Sequence, residues 1–444
     1  MMVSSSRVIL FAVVLLVLLG LTTHSTYAGS GDEPHYLAIA HSIAFDLDFD
    51  VSNNYGAAEP LIADGQLQPE DHARAGRGGV LRPVHDVGMP LLLAPVVRAA
   101  APVAAWIAAR MPPTLMQRLT LTPSGLYRHI LEAAMAMLGA ALACLLFESF
   151  MNTGSSRHLA FWLALLVALS PPLLIYSTLL FTETTSAFLC LAAFRTVALR
   201  DHSDTWHWIF AGLATGLLLL THTRNIGAIA GLVTIVGARV ITRRALGSAT
   251  AFFSPIAAFV ALRTAINYHF WGTYITNPHA RLGAWMGWLE SARIGGTRLA
   301  GLLLDQEFGL LPYAPVFIIA IYGAAAAWRN NRALASAIAL VVGGYLIAVM
   351  LPITNAHGWT GGWSPAARFM TPIVPILALG LATGVRVLPR TLVSAIVIVQ
   401  VALNVYFWQH PKNLWNDGDG RAAICQRGGF PGCAYLPSFA AEPQ

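Results

Sequence analysis

Long runs of apolar residues, separated by short polar segments, dominate the hydropathy pattern of this chain. Most runs approach the ~20 residues that a helix needs to cross a bilayer. The pattern predicts an all-α polytopic membrane protein with about eleven transmembrane helices. The predicted spans are residues 8–21, 127–147, 158–176, 182–199, 208–221, 226–241, 247–266, 311–327, 333–351, 370–387 and 391–407.

The first run, residues 8–21, follows Arg7 and is extended by less apolar residues to Ala28. A cleaved signal peptide is one interpretation, because the apolar core of such a peptide has a similar length. The sequence Thr26-Tyr27-Ala28 is a poor cleavage site, however, and many spans follow. We therefore favour an uncleaved first helix. Under either interpretation the segment after Ala28 lies outside the cytoplasm.

A further apolar stretch, residues 87–109, is interrupted by Pro90, Pro95, Pro102 and Arg98. We predict a juxtamembrane or re-entrant element on the outer side. The arginines support this choice, because with a cytoplasmic N-terminus every cytoplasmic segment carries at least one, as the positive-inside rule requires. These arginines are Arg7, Arg157, Arg195, Arg200, Arg239, Arg243, Arg244, Arg329, Arg332, Arg386 and Arg390. Counting residues 87–109 as a span would invert everything after it and would place all of these arginines except Arg7 outside.

Composition excludes several other classes of protein. Charged residues make up 11% of the chain and hydrophobic residues 56%, and the mean hydropathy is +0.61. Soluble domains carry about 25% charged residues, so a set of soluble domains, a disordered chain and a coiled coil are all excluded. The net charge of +6 does not indicate a nucleic-acid partner, because the basic residues are scattered at the ends of apolar runs.

On this topology a transmembrane domain is followed by an outward-facing tail, and three loops also face outward. The predicted boundaries are 1–408 for the domain, 29–86, 267–310 and 353–369 for the loops, and 409–444 for the tail. The first loop holds ten of the 21 acidic residues. In the tail, Cys425 and Cys433 could form a disulfide in an oxidising periplasm. Cys144 and Cys190 fall within spans and are expected to serve packing.

The strongest local signal is Gly31-Asp32-Glu33-Pro34-His35-Tyr36, directly after the first span. Pro34 suits the first turn of a helix. Apolar residues then recur at helical spacing as far as Leu47, which predicts an amphipathic helix along the membrane surface. The positive end of that helix keeps nearby carboxylates ionised, as a general base requires. The same spacing allows Asp32 and Glu33 merely to cap the helix.

This motif resembles the first extracytoplasmic loop of the GT-C superfamily of membrane glycosyltransferases. Protein O-mannosyltransferases and the aminoarabinose transferase acting on lipid A belong to that superfamily. The similarity is to bacterial, largely uncharacterised members and continues in order along the chain. The further stretches are Asp46-Leu47-Asp48-Phe49-Asp50, Asn53-Asn54-Tyr55, residues 172–183, Asn267 with Phe270-Trp271-Gly272, and residues 308–315 and 359–368.

The resemblance implies inverting transfer of a sugar from a polyprenyl-phosphate carrier to an acceptor hydroxyl, outside the cytoplasm, by a multi-pass protein of the inner membrane. It implies that Asp32 is the general base and that Glu33 orients the acceptor or supports the base. The departing phosphate needs a cation. Arg368 is the first choice, with an interfacial anchor as its alternative role, and Arg224 is the second. The implied partners are the lipid-linked donor, a glycan, lipid or protein acceptor, and membrane lipids.

Other residues of the outer segments are candidates for substrate contact. Glu183 is one because an acid near lipid depth is costly, although a pair with a neighbouring helix is the alternative. His85 and Asp86 could bind sugar hydroxyls, although a capping role is favoured for Asp86. Tyr55 and Tyr313 could stack on the sugar, although aromatic belts are the commoner use of such residues. The remaining candidates are His35, Tyr36, Asn54 and Trp363.

No metal site and no cofactor are predicted. The 14 histidines show no HExxH or EF-hand spacing, and no paired CxxC motif occurs. Carboxylates of the first loop could hold a divalent ion, as some relatives do. The branch that the Asp-Glu motif resembles requires none.

A transporter or a flippase for lipid-linked sugars is the alternative function. Ion-coupled carriers place charged residues near the bilayer midplane. Most predicted spans instead contain long stretches without Asp, Glu, Lys or Arg, such as residues 160–175 and 315–327. Because the acidic residues crowd the first loop, we favour the transferase.

Overall fold

The computed structural model describes residues 2–24, 31–119, 121–200, 204–243, 246–275, 288–350, 359–429 and 431–439. Outside these ranges lie residues 26–28, where a signal peptide would be cleaved, and residues 276–287 and 351–358 at two of the predicted outer loops. Regular structure in the described ranges is almost entirely helical. The α-helices are α1 (Met2–His24), α2 (Glu33–His41), α3 (Gly88–Ala108), α4 (Pro113–Arg118), α5 (Pro123–Asn152), α6 (Arg157–Ala168), α7 (Leu173–Tyr176), α8 (Thr182–Phe194), α9 (Thr205–Thr221), α10 (Ile226–Arg243), α11 (Leu246–Trp271), α12 (Trp288–Leu304), α13 (Val316–Asn330), α14 (Arg332–Met350), α15 (Val374–Ala378), α16 (Leu381–Val387), α17 (Arg390–Gln409) and α18 (Ala423–Gln426).

Two π-helical turns, Ser42–Asp46 and Arg195–Leu199, extend α2 and α8. Short 3₁₀ turns connect the longer elements, and three of them, Ser52–Asn54, Thr223–Asn225 and Arg368–Met370, carry candidate site residues. Two antiparallel strand pairs complete the described fold. They are β1 (Ala73–Ala75) with β2 (Leu81–Pro83), and β3 (Ser364–Pro365) with β4 (Trp415–Asn416).

Seven of the described helices are long and apolar enough to cross a membrane, so the chain is an all-α membrane protein. These helices are α1, α3, α5, α10, α11, α14 and α17. Four shorter apolar segments accompany them, namely α6, α9, α13 and the consecutive α15 and α16. A main apolar core runs through this bundle, and a second core lies beneath the first loop.

The helix α3 is continuous, although Pro95 and Pro102 lie inside it. A proline within a helix removes one backbone hydrogen bond. Tertiary packing keeps the helix intact here, because one face of α3 is buried and α3 contacts α2, α5 and α9. The buried face includes Leu93, Val97, Ala100 and Ala104.

The helix α2 begins at Glu33, as Pro34 predicts, but it ends at His41. All its residues except Pro34 are buried, and α2 packs against α3. Leu47 lies beyond it in a left-handed turn with an exposed fraction of 82%. The predicted amphipathic helix at the membrane surface is therefore wrong. The helix is instead a buried element that anchors the first loop.

Glycines allow several helices to pack with their backbones in contact. Gly227 of α10 lies against Gly344 of α14, and Gly323 of α13 lies against Gly380 before α16. Small residues permit such close approach between membrane helices. A side chain at either contact would meet backbone atoms, which cannot rotate away.

Replacing Gly227 with valine is therefore expected to destabilise the protein by about 1–3 kcal/mol, because the new Cβ would meet the Gly344 backbone. Gly237→Val is the matched control, because Gly237 lies in the same helix and its added Cβ would face open space. Thermal unfolding in detergent measures both variants. Equal melting temperatures for the two variants would contradict the close contact.

Candidate functional site

Four charged side chains from distant parts of the chain form one network. Arg368 Nη2 pairs with Asp32 Oδ2, and Arg368 Nε donates to Glu183 Oε1 at 2.9 Å. Arg224 Nη2 donates to the same oxygen of Glu183 at 2.5 Å. Glu183, Arg224 and Arg368 are buried, while the Asp32 side chain keeps 19% exposure. The two carboxylates and two guanidiniums balance one another.

All four residues lie where the chain enters or leaves a helix. Asp32 precedes α2 and Glu183 lies in the first turn of α8. Arg224 and Arg368 lie in the two 3₁₀ turns Thr223–Asn225 and Arg368–Met370. Each guanidinium also lies over an aromatic ring, and such cation–π contacts hold the guanidinium in place. The ring centroids are 4.6 Å from Arg368 (Phe181) and 4.3 Å from Arg224 (Phe369).

Neither acid of the Asp-Glu-Pro motif caps α2 through its side chain, although Asp32 is the N-cap residue of the helix. The Asp32 side chain makes no capping hydrogen bond and turns to Arg368. Glu33 is buried, and its Oε1 accepts the backbone N–H of Leu180 at 2.8 Å. Glu33 therefore fixes the segment that leads into α8 and Glu183, which is a supporting position. The interpretation of both acids as mere helix caps is wrong.

The charge state of Asp32 follows from its neighbours. Burial raises the pKa of the Asp32 carboxyl, but the guanidinium of Arg368 and the imidazoles of His85 and His72 outweigh burial and hold that pKa well below its ordinary range. The carboxylate is therefore ionised at neutral pH. Because Arg368 binds one of its oxygens, its strength as a base depends on whether Arg368 stays there.

Three histidines pack beside Asp32. His72 Nδ1 lies 2.8 Å from His85 Nε2, and the ring of His35 stacks on that of His72 at 3.7 Å between centroids. His35 Nδ1 lies 3.1 Å from the Tyr55 hydroxyl, and the Tyr36 ring lies 4.7 Å from that of His85. Burial and the neighbouring His72 lower the pKa of His35 to about 3, so His35 is neutral. The fold thus brings four predicted candidates together with one residue that was not predicted.

His72 is the site residue that the sequence did not reveal. The β1–β2 hairpin places it beside His85, because the amide of Val84 donates to the carbonyl of His72 at 3.0 Å. One potential ligand atom each from Asp32, His72 and His85 lies within 4.8 Å of the others. Short spacing motifs cannot show a set assembled across a hairpin. The sequence feature that points to this hairpin is the glycine-rich turn Gly76-Arg77-Gly78-Gly79, because such a turn allows the two flanking segments to pair.

Asp86 lies outside the network of Asp32 and Arg368. Its Oδ1 pairs with Arg263 Nη2 at 2.8 Å, and its Oδ2 accepts the backbone N–H of Thr223 at 2.9 Å. Asp86 therefore caps the turn that carries Arg224. The sequence favours a different role for Asp86, the capping of the helix that follows it, but Val87 is the N-cap residue of α3 and no side chain caps that helix.

The remaining predicted residues differ in their burial and in their partners. Asn54 is buried within the first loop. Trp363 is 53% exposed, and its indole N–H donates to Asp417 in the tail. Tyr313 is buried and donates its hydroxyl to the carbonyl of Gln306 at 2.8 Å. The structure does not bring Tyr313 to Asp32, because the contacts of its hydroxyl are with the loop before α13 and the tail.

The C-terminal tail holds the segment that leads to Arg368. β4 of the tail pairs with β3, and Glu307 before α13 accepts the amides of Gly418 at 3.0 Å and Gly420 at 2.7 Å. Cys425 and Cys433 form the disulfide considered from the sequence, with 5.9 Å between their Cα atoms. The tail contacts of Glu307 were not predicted, because they join segments that are 111 and 113 positions apart in the chain.

The contacts between Glu307 and the tail predict that the stability of the protein depends on pH. Burial, with the nearby acids Asp305 and Asp419, raises the pKa of the Glu307 carboxyl from 4.5 to about 7. The folded state therefore holds an extra proton between pH 4.5 and 7, and stability falls as the pH rises through that window. Over this window the wild type should lose at most about 3 kcal/mol of unfolding free energy that the Glu307→Gln variant does not lose. Melting temperatures of both proteins at pH 5 and pH 8 test this, and a difference independent of pH would contradict it.

The described site combines an ionised carboxylate, a buried arginine shared by two acids, and a group of histidines. Such a set can take a proton from a hydroxyl group and can stabilise an anion. No protein-family model matches the chain, and no curated protein is significantly similar to it. Support for a function therefore comes from the site itself and from the resemblance of the short sequence motifs.

Proposed function

We propose that this chain transfers a sugar, with inversion, from a polyprenyl-phosphate-linked donor to an acceptor hydroxyl at the outer face of the inner membrane, as a GT-C-type glycosyltransferase. One observation carries the proposal, namely the ion pair between Asp32 and Arg368, which are 336 positions apart in the chain. The resemblance assigns the base to Asp32, and Arg368 is the first choice for the cation at the phosphate. Their contact supports a common site.

Contacts at the helix ends support the orientation with a cytoplasmic N-terminus. Arg7 of α1 and Arg195 after α8 both pair with Glu148 near the end of α5. Arg157 at the start of α6 donates to Ser6 at 2.7 Å. These arginine-rich helix ends share one side, which the positive-inside rule makes cytoplasmic. The network of Asp32 and Arg368 lies at the opposite ends of α1 and α8.

Contacts of α3 and α5 support the eleven-span topology, in which α3 does not cross. Arg98, in the middle of α3, donates to the carbonyl of Ala44 in the first loop at 2.5 Å. Ser124, in the first turn of α5, hydrogen-bonds to Asp64 of the same loop. If α3 crossed the membrane, α5 would begin on the side opposite to that loop. We therefore treat α3 as a juxtamembrane helix.

The proposed reaction is a single displacement. The acceptor oxygen attacks the anomeric carbon while Asp32 takes its proton, because an alcohol is a weak nucleophile until the proton leaves. The bond from the anomeric carbon to the phosphate oxygen breaks, and its electron pair stays on the phosphate. Arg368 stabilises that charge. Attack from the face opposite to the leaving phosphate inverts the anomeric configuration.

Arg368 links donor binding to the strength of the base. In the described arrangement it neutralises both Asp32 and Glu183. A donor phosphate would compete with Asp32 for this guanidinium. Transfer of the contact to the phosphate would let the pKa of Asp32 rise towards its ordinary value, so that the carboxylate becomes a stronger base when the donor is present.

Arg368→Lys is expected to weaken the binding of a polyprenyl phosphate by about tenfold or more. Lysine keeps the positive charge but cannot bridge two partners with a planar fork, and a hydrogen bond to a charged group contributes about 1.5–3 kcal/mol. Arg263→Lys, beside the separate Asp86, is the matched control. Binding to the purified protein in nanodiscs measures the effect. Equal affinities for wild type and Arg368→Lys would remove Arg368 from the donor site.

The fate of the polyprenyl-phosphate carrier distinguishes a flippase from a transferase. A flippase moves the lipid-linked sugar unchanged, whereas a transferase releases polyprenyl phosphate. Purified protein in vesicles, supplied with bacterial polyprenyl-phosphate sugars and an envelope extract as acceptor, should release the carrier phosphate. Movement of intact lipid-linked sugar without this release would favour the flippase.

A further inference from the structure

We propose that Asp32, His72 and His85 bind one divalent transition-metal ion of the zinc class, such as Zn²⁺ or Co²⁺. Neither the histidine spacing in the sequence nor the resemblance assigns this site. The three residues come from the start of α2 and from the two ends of the β1–β2 hairpin, and their ligand atoms lie within 4.8 Å of one another. The inference does not rest on the proposed transfer reaction.

The distances fit a site that an ion would draw together. Zinc–ligand bonds of about 2.0–2.1 Å in a tetrahedral site place the ligand atoms roughly 3.3 Å apart. His72 Nδ1 lies 2.8 Å from His85 Nε2 and 3.9 Å from Asp32 Oδ1. To reach that geometry, the distance from His72 to His85 must lengthen and the distance from His72 to Asp32 must shorten, each by about half an ångström. Small side-chain rotations supply changes of this size.

The donor atoms select the class of ion. Two imidazole nitrogens and one carboxylate oxygen suit zinc and cobalt, whereas magnesium and calcium prefer oxygen ligands throughout. Asp32 offers Oδ1 to the ion, because its Oδ2 contacts Arg368. Three protein ligands leave a fourth position open, as in catalytic zinc sites.

Neighbouring rings support two of the proposed ligands. The His35 ring stacks on His72 at 3.7 Å between centroids, and the Tyr36 ring flanks His85 at 4.7 Å. The hairpin bond from Val84 to the His72 carbonyl fixes the separation of the two ligand segments. The side chains of Asp32 and His72 keep 19% and 25% exposure, so an ion can enter from solvent.

Charge favours an anion at the open position. The carboxylates of Asp32 and Glu183 already balance Arg224 and Arg368. A divalent ion would add positive charge beside this balanced network. It would favour a phosphate oxygen or a deprotonated hydroxyl as its fourth ligand and would lower the pKa of a bound hydroxyl.

Metal binding by the purified full-length protein, without a histidine tag, tests the site. After treatment with a chelator, the protein in detergent should bind one Co²⁺ or Zn²⁺ per chain, as measured by calorimetry and by the visible absorption of Co²⁺. His85→Ala should weaken binding by at least ~100-fold, since even outer-shell changes cost 10–100-fold. His158→Ala removes an exposed histidine at the start of α6 and should bind as wild type does.

His72→Cys separates loss of a ligand from loss of the fold. A thiolate also binds cobalt and should add a sulfur-to-cobalt charge-transfer band. The proposal is overturned if the wild type takes up no stoichiometric ion, or if His85→Ala binds as tightly as the wild type. The 2.8 Å contact would then be only a hydrogen bond between two imidazoles. No sugar donor is needed, so this result and the transfer assay can fail independently.

Discussion

Asp32→Asn is expected to lower the rate of sugar transfer by about 10²- to 10⁴-fold, the usual contribution of a general base. The amide of asparagine cannot take the proton of the acceptor, although its oxygen can still accept an N–H from Arg368. Glu183 remains as a charged partner of Arg368, so the variant should stay folded in the membrane. The rate is measured as release of polyprenyl phosphate by membranes that carry equal amounts of each protein.

Asp46→Asn is the matched control for this result. Asp46 lies in the same loop, is exposed and accepts a hydrogen bond from Asn53 at 3.1 Å. The control should keep the wild-type rate. Full activity of Asp32→Asn would remove Asp32 as the base. A loss of activity with an equal loss of folded protein would show that the carboxylate is structural.

Glu183→Gln is expected to destabilise the protein by about 3–5 kcal/mol, because it leaves a buried cation without its carboxylate. Glu183 Oε1 holds both Arg224 and Arg368, and Asp32 can compensate only the latter. Thermal unfolding in detergent measures the loss. The size of the effect follows from the burial of both partners, since Glu183 is 0% and Arg224 1% exposed.

A charge-balanced double variant and a distant variant serve as controls. Glu183→Gln with Arg224→Met removes one charge of each sign, so it should be more stable than Glu183→Gln alone. Glu148→Gln breaks pairs with Arg7 and Arg195, whose side chains are 45% and 14% exposed, and should cost less than Glu183→Gln because solvent reaches both pairs. If the double variant loses as much unfolding free energy as Glu183→Gln and Arg224→Met lose together, the ion pair between Glu183 and Arg224 does not stabilise the protein.

The central pair of the site could be predicted from local sequence because each member lies in a distinctive short motif. Asp32 follows the first span and precedes a helix-starting proline, and Arg368 follows a pair of glycines. Their contact is tertiary, and only the ordered resemblance indicated it. His72 could not be found in this way, because its position depends on the register of a hairpin whose strands have only three residues each.

The main features of the fold were predictable where long apolar runs dominate, as in α5 and α14. The prediction was wrong for α2, where tertiary packing decides the outcome. The apolar residues of α2 predicted a membrane-facing stripe, but the first loop and α3 bury nearly all sides of the helix. The helix α12, within the predicted loop 267–310, had no clear signal in the apolar pattern.

Mass spectrometry of cell-envelope glycans tests the central claim most directly, because it requires no knowledge of the donor or the acceptor. Three strains are compared: one that lacks the chain, one complemented with the wild type, and one complemented with Asp32→Asn. We predict a glycan that is one sugar short in the first and third strains and complete in the second. Identical glycans in all three strains would contradict transfer by this protein.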